Sequence, residues 1–291
     1  MSYSIILNSN NRVDTTTTSN DATYNFDWSV LERGEYKVNW NLTTISGGTQ
    51  DTTTYITPDI LWYKFETGDS TNGTNLKNYV SGDYLATCST TGMLSTAQSA
   101  VGTGSLLMDG TNSVNLNSTN TLLNAFSDTQ SQSYSVWFRC TSDTPNASTI
   151  MVPFVFAYAG QYTHTTFAIK NNGTGLLKIE RTNYGGQYIG METNSFSVNT
   201  WNHFATTATN TSSGNWDLRS YFNGVLLTGP YASFHTLLSG GGSSYMGSGN
   251  ITGGLNGYTG NCNFIGYIDD LRVFNSVLTA GQILSIYNKT G

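Results

Sequence analysis

Several stretches of this chain alternate apolar and polar residues with the period of two that a half-buried strand needs. Residues 3–8 read as a strand and residues 10–20 as a polar loop. Residues 22–28 place Tyr24, Phe26 and Trp28 on one side, and residues 35–42 place Tyr36, Val38, Trp40 and Leu42 on one side. Three strands so rich in aromatics bury themselves poorly without a second layer, so this opening segment is expected to pack on the following domain or on another chain. Residues 151–158, 167–170, 176–180 and 188–192 read as strands at hairpin spacing, and residues 240–260, broken by Gly-Gly-Gly and Gly-Gly, as a loop. Near the C-terminus the period changes. Alternation over residues 264–274 puts Tyr267, Asp269, Leu271 and Val273 on one face and Phe264, Ile268, Asp270 and Phe274 on the other. Apolar residues on both faces mean either a central strand covered on both sides or a bulge near the paired aspartates. Thr279 followed by Gln282 is a capping box, Leu278 and Ile283 are spaced as a hydrophobic staple, and Ile283, Ile286 and Tyr287 form one helical stripe.

Composition narrows the class. With 31 Gly, 4 Pro, 18 Tyr, 13 Phe and 6 Trp in 291 residues, the chain suits many strands joined by polar loops. Charged residues make up 10%, against roughly 25% in ordinary soluble domains, so hydroxyl and amide groups must dominate the surface. The net charge of −6 disfavours nucleic acid and anionic lipid as partners. No apolar run is long enough for membrane insertion, and residues 1–25 lack the pattern of a signal peptide, so neither a standard secretory route nor a membrane span is expected. Cys88, Cys140 and Cys262 are too few and too scattered for a disulfide framework or a zinc site and read as buried thiols.

Seven motifs in order carry a family resemblance. Residues 61–66 (Leu-Trp-Tyr-Lys-Phe-Glu), 104–110 (Gly-Ser-Leu-Leu-Met-Asp-Gly), 133–139 (Ser-Tyr-Ser-Val-Trp-Phe-Arg), 200–205 (Thr-Trp-Asn-His-Phe-Ala), 221–226 (Tyr-Phe-Asn-Gly-Val-Leu) and 245–247 (Tyr-Met-Gly) precede the closing Phe264-x-Gly266-x-Ile268-Asp269-Asp270-Leu271-Arg272-Val273-Phe274-Asn275. Together they resemble LamG-like, concanavalin A-like jelly rolls. The resemblance implies an all-β, two-sheet antiparallel sandwich over residues 58–291, joined by a linker at 51–57 to a small β segment at 1–50. Residues 4–9, 22–28 and 34–38 of that segment resemble the opening of virion proteins from large double-stranded DNA viruses of algae and protists.

Candidate chemistry is sparse. The hydrolytic cousins of the jelly roll carry a Glu-x-Asp-x-x-Glu strand, and none of Glu32, Glu35, Glu66, Glu180 or Glu192 lies in such a pattern. His164, His203 and His235 share no metal spacing, and His203 reads as a packed structural histidine. No cofactor is expected from the residues; the LamG resemblance implies that a calcium ion, which such domains often hold, would lie near Asp109, Asp269 and Asp270. The competing reading pairs Asp270 with Arg272 and lets Asp109 cap a Gly turn. Loop tyrosines Tyr158, Tyr162, Tyr184, Tyr188 and Tyr258 are candidates for stacking on sugar rings, or else pack in a core or subunit interface. Without a catalytic set, the expectation is a structural protein: a minor capsid or surface-decorating virion component. Its assembly interface would be formed by Tyr24, Phe26, Trp28, Tyr36 and Trp40, and its partners would be other capsid subunits. The alternative is a carbohydrate- or receptor-binding module with a glycan partner, and a glycoside hydrolase stands third.

Overall fold

The structure is a computed structural model. It describes the backbone of residues 2–7, 15–18, 38–43, 56–83, 86–116, 131–141, 150–157, 164–170, 177–182, 188–193, 198–212, 215–233, 244–247, 250–255, 258–261 and 264–288. The chain divides into two compact units, Met1–Tyr55 and Ile56–Gly291.

The first unit contains β1 (Ser2–Leu7), β2 (Thr15–Thr18) and β3 (Val38–Thr43) in one antiparallel sheet of order β2-β1-β3. β2 lies inside the stretch expected to be a polar loop. Four successive threonines carry no apolar alternation, yet β-branched side chains favour extended backbone, and that preference outweighs their polarity here. The alternating stretch at 22–28 lies outside the described residues.

In the second unit the strands are β4 (Leu61–Tyr63), β5 (Ser70–Thr71), β6 (Asn75–Leu76), β7 (Ala86–Cys88), β8 (Leu94–Ser95), β9 (Ser105–Asp109), β10 (Val114–Asn115) and β11 (Gln132–Cys140). There follow β12 (Ile150–Ala157), β13 (His164–Lys170), β14 (Leu177–Thr182), β15 (Tyr188–Thr193), β16 (Asn202–Ser212), β17 (Asn215–Phe222) and β18 (Val225–Ser233). The last are β19 (Ser244–Met246), β20 (Asn250–Leu255), β21 (Tyr258–Asn261) and β22 (Ile265–Phe274), and the chain closes on a helix, α1 (Ala280–Asn288).

Two antiparallel sheets dominate this unit, as a jelly-roll sandwich requires. One has the order β15-β14-β13-β12-β19-β10-β7-β6-β5 and the other β18-β17-β16-β11-β22-β9-β8, with β4 also on β22. Between them lies one core, in which Leu76, Cys88, Val114 and Met246 of the first sheet meet Val136, Phe138, Phe204, Leu106 and Ile268 of the second. Cys88 and Cys140 are buried free thiols, and burial pushes the Cys88 thiol up to about 12; Cys262 lies outside the described residues. β20 and β21 pair with each other, Leu255 opposite Tyr258, which corrects the expectation of a loop across 240–260. Asn256-Gly257 between those two residues is a two-residue hairpin signal that the surrounding glycines mask in the sequence.

Both alternatives for β22 hold at once. It is central, lying between β11 and β9, and it bulges: Ser135 pairs with Arg272 but Trp137 with Asp269, so β22 spends one more residue than β11. Asp270, at φ 46°, occupies the left-handed region, as the first residue of one class of bulge does. The bulge switches the phase of the strand. Phe264 and Ile268 point into the core before it, and Leu271 and Val273 after it.

On the other face of that sheet, α1 covers a smaller apolar cluster of Ala205, Tyr221, Phe274, Leu278, Ile283 and Ile286. The capping box forms as expected: the Thr279 N–H donates to Gln282 Oε1 at 2.8 Å and the Gln282 N–H to Thr279 Oγ1 at 3.2 Å. Fully burying a side chain such as Ile283 contributes about 1.5–3 kcal/mol, so packing on the sheet, more than propensity, holds so short a helix. Asn223 (φ 49°) and Gly224 (φ 77°) make the two-residue turn between β17 and β18. A Cβ on Gly224 would lie 2.9 Å from Leu284 of α1, so this turn also sets how closely the helix approaches.

Candidate functional site

Because alternate residues of a strand face opposite ways, the outer face of the second sheet presents its side chains in rows across the strands. One row runs His203, Trp137, Asp269, fixed by the register of β11 with β16 and β22. The row two residues along contains Arg139 opposite Tyr267, and Tyr267 in turn opposite Leu107. Trp201 immediately precedes β16 and continues this second row past the Asn202–Phe138 pair.

The first row is sealed. His203 and Asp269 are each 0% exposed. Tyr287 of α1 stacks on Trp137 with centroids 5.5 Å apart, and the His203 ring lies 5.0 Å from Trp137. Neither ring nitrogen of His203 has a hydrogen-bond partner, and burial together with the nearby Arg272 charge holds its pKa down to about 3. The Asp269 carboxylate accepts the Ala100 and Val101 N–H groups at 2.8 and 2.9 Å and the Asp270 N–H at 2.7 Å, fastening residues 100–101 over the sheet. Burial nevertheless pushes its carboxyl up to about 8; the backbone donors work against that rise, and the Asp270 charge adds to it.

Beside this row a buried ion pair joins Arg272 and Asp270, each 1% exposed, at 2.7 Å. Trp62 Nε1 donates to Asp270 Oδ1 at 2.7 Å, Arg272 Nε donates to the same oxygen at 3.0 Å, and the Arg272 guanidinium lies 4.8 Å from the centre of the Trp62 ring. Arg272 also donates to the Ile56 carbonyl, so the closing strand is tied to the start of this unit. Removing one partner of such a pair typically costs 3–5 kcal/mol, because the other is left charged and dry.

The second row is open. Trp201, Arg139, Tyr267 and Leu107 are all half-buried, so α1 covers the sheet only as far as Trp137 and leaves a strip beyond it. The Trp201 and Tyr267 rings lie 6.3 Å apart at 52°, and the Arg139 guanidinium stands 5.9 Å from the Tyr267 ring. Arg139 Nε donates to the Asn199 carbonyl at 2.9 Å, while the Asn199 N–H donates to the Cys140 carbonyl at 2.7 Å. Asn199 holds φ 62°, a left-handed conformation that asparagine tolerates and that aims its carbonyl at the arginine. Gly266 next to Tyr267 has no Cβ, and one there would collide with the Arg139 carbonyl. Two half-exposed aromatics around one guanidinium offer flat apolar faces beside a fork of donors.

The sequence-derived candidates fall elsewhere. Tyr158, Tyr162 and Tyr184 lie outside the described residues; Tyr188 opens β15 and Tyr258 opens β21. Tyr24, Phe26, Trp28 and Tyr36 also lie outside them, and Trp40 sits in β3 opposite Ile5. Asp109, Asp269 and Asp270 do not fit one calcium site. Asp109 pairs in register with Ile265, four residues from Asp269, or about 13 Å along the strand. Its Oδ1 accepts the Thr111 and Asn112 N–H groups and the Thr111 hydroxyl, which lower its pKa. Among the described residues no group of three His, Cys, Asp or Glu side chains converges. Trp201 and Arg139 belong to two separate motifs and Tyr267 falls at an unspecified position of a third, so only the register of three strands brings them together.

The profile of the concanavalin A-like lectin/glucanases superfamily matches residues 108–284. No curated protein matches the chain. Among solved structures it is similar to domain 4 of a GH43 extracellular arabinanase from Geobacillus stearothermophilus, in complex with arabinotriose. The identity is 18% and the TM-score 0.51, over 78% of this chain and 97% of that one. It is also similar to the receptor binding domain of botulinum neurotoxin type G, at 13% identity and TM-score 0.53 over 80% of this chain and 51% of that one. The binding domain of botulinum neurotoxin serotype D matches at 16% identity and TM-score 0.51, over 79% and 50%. The chain thus spans about half the length of the neurotoxin chains, and at these identities the likeness is one of fold.

Proposed function

Because the chain belongs to the concanavalin A-like lectin/glucanases superfamily, we propose that it is a non-catalytic, lectin-like module that binds carbohydrate through the strip of Trp201, Arg139 and Tyr267. The observation that carries this reading is the row of half-exposed Trp201, Arg139 and Tyr267 beside the part of the sheet face that α1 covers. Aromatic faces bind the apolar faces of sugar rings, while the Tyr267 hydroxyl and the Arg139 guanidinium are placed to take up hydroxyls. The arabinotriose in the similar Geobacillus domain supports a saccharide over other small molecules. A hydrolytic pair needs two carboxylates across an open cleft, and the adjacent Asp269 and Asp270 are buried and committed to backbone, Trp62 and Arg272.

An oligosaccharide array followed by titration calorimetry tests this. Binding of at least one saccharide class is expected, weakened about tenfold by Trp201→Ala with the circular dichroism unchanged. Binding to nothing on the array, or binding indifferent to both Trp201→Ala and Tyr267→Ala, removes the proposal.

A second reading, a structural subunit of a virion, draws on one feature: residues 1–55 form a unit of their own whose described strands make a single sheet. One layer buries an apolar face only against something else. The superfamily match begins at residue 108 and gives this reading no support. Light scattering on the full chain and on a chain starting at Ile56 tests it; a monomer in both cases sinks the idea.

A further inference from the structure

The open strip carries a charge that a general sugar-binding surface does not need. Among the described residues Arg219 pairs with Asp217 and Arg272 with Asp270, whereas no carboxylate pairs with Arg139. Its Nε is committed to the Asn199 carbonyl, and the positive φ of Asn199 fixes that contact from the backbone. The guanidinium is therefore held by one edge, leaving the two terminal amino groups as a planar fork. The Tyr267 ring stands 5.9 Å from the guanidinium, so the fork borders a flat apolar face.

We infer that the saccharide taken by this strip is a carboxylated one, its carboxylate received end-on by the terminal amino groups of Arg139 while a sugar ring lies against Trp201 or Tyr267. This rests on the carbohydrate-binding reading of the strip and narrows its substrate class. The planar fork matches a carboxylate, which a lysine ammonium does not reproduce. With a net charge of −6 the protein repels acidic polymers at long range. Recognition therefore comes from the short contact with the guanidinium fork.

The test is titration calorimetry of the full chain with oligogalacturonate and hyaluronate oligomers, each against its methyl ester, and with arabinotriose as a neutral probe. The acid forms of at least one pair are expected to bind about tenfold or more tightly than the esters. Arg139→Gln is expected to weaken the acid far more than the ester and so to abolish that preference, and Arg139→Lys restores only part of it. Equal binding of acid and ester, or equal weakening of both by R139Q, overturns the inference. If arabinotriose binds through Trp201 while neither acid binds better than its ester, the carbohydrate-binding function stands and the acidic specificity falls. If no saccharide binds, both fall. Unchanged thermal unfolding of R139Q excludes misfolding as the cause of any loss.

Discussion

The His203 ring packs against Trp137 and Tyr287, and neither of its nitrogens has a hydrogen-bond partner. An unsatisfied buried polar group typically costs about 1–3 kcal/mol, so His203→Phe, which keeps a flat ring in the same place, is expected to leave stability unchanged or raise it by about 1 kcal/mol. Urea unfolding measures this; a loss beyond about 2 kcal/mol shows that the nitrogens are engaged. His203 and Asp269 also set opposite limits to stability with pH. The His203 pKa falls from 6.5 to about 3 on folding, so its contribution is complete above pH 6.5 and is lost as pH drops through about 3. Asp269 rises from 3.8 to about 8, so its contribution is complete below pH 3.8 and is lost as pH climbs through about 8. Between pH 3.8 and 6.5 the two slopes cancel, and the thermal midpoint is expected to hold a plateau there and to fall on either side. Asp269→Asn should remove the alkaline fall and make the acid one begin near pH 6.5 instead of 3.8; an alkaline limb surviving in that variant assigns it to another group.

At the level of elements, legibility follows the range of the interaction. The Thr279–Gln282 cap and the Asn223-Gly224 turn are contacts within a few residues, and both were readable from side-chain type and spacing. Thr279→Ala is expected to cost about 1 kcal/mol, read as a lower midpoint in urea at unchanged slope. A larger loss would mean that the helix end carries tertiary weight beyond its cap. β2 was missed because four threonines show no alternation, and β20–β21 because Gly253, Gly254 and Gly260 interrupt the residues that declare a strand. The strip was missed for a different reason. Trp201 and Tyr267 are 66 residues apart and touch only through the registers of β11 with β16 and β22, which no local pattern encodes. Asp269-Asp270, the most conspicuous acidic pair in the sequence, drew attention to chemistry but closes the fold: one aspartate fastens a loop, and the other fills the bulge and neutralises Arg272.

For the whole molecule, the boundary between Tyr55 and Ile56 separates two bodies of unequal size, and the larger has its own core, covering helix and buried ion pair. A chain starting at Ile56 is expected to unfold in one cooperative step with a midpoint within a few degrees of that of the same transition in the full chain. A broad, non-cooperative transition would show that residues 1–55 complete the sandwich. The single extra residue at Asp270 then has a consequence beyond local geometry. β22 behaves like a message read in two frames: its odd positions up to Asp269 face the strip and its even positions from Arg272 face the helix, spliced at the bulge. Deleting one residue there would put the strand in a single frame and turn either the recognition surface or the seat of α1 inward. The recognition surface can change by point substitution, but a change of length in this strand leaves only one of the two surfaces readable.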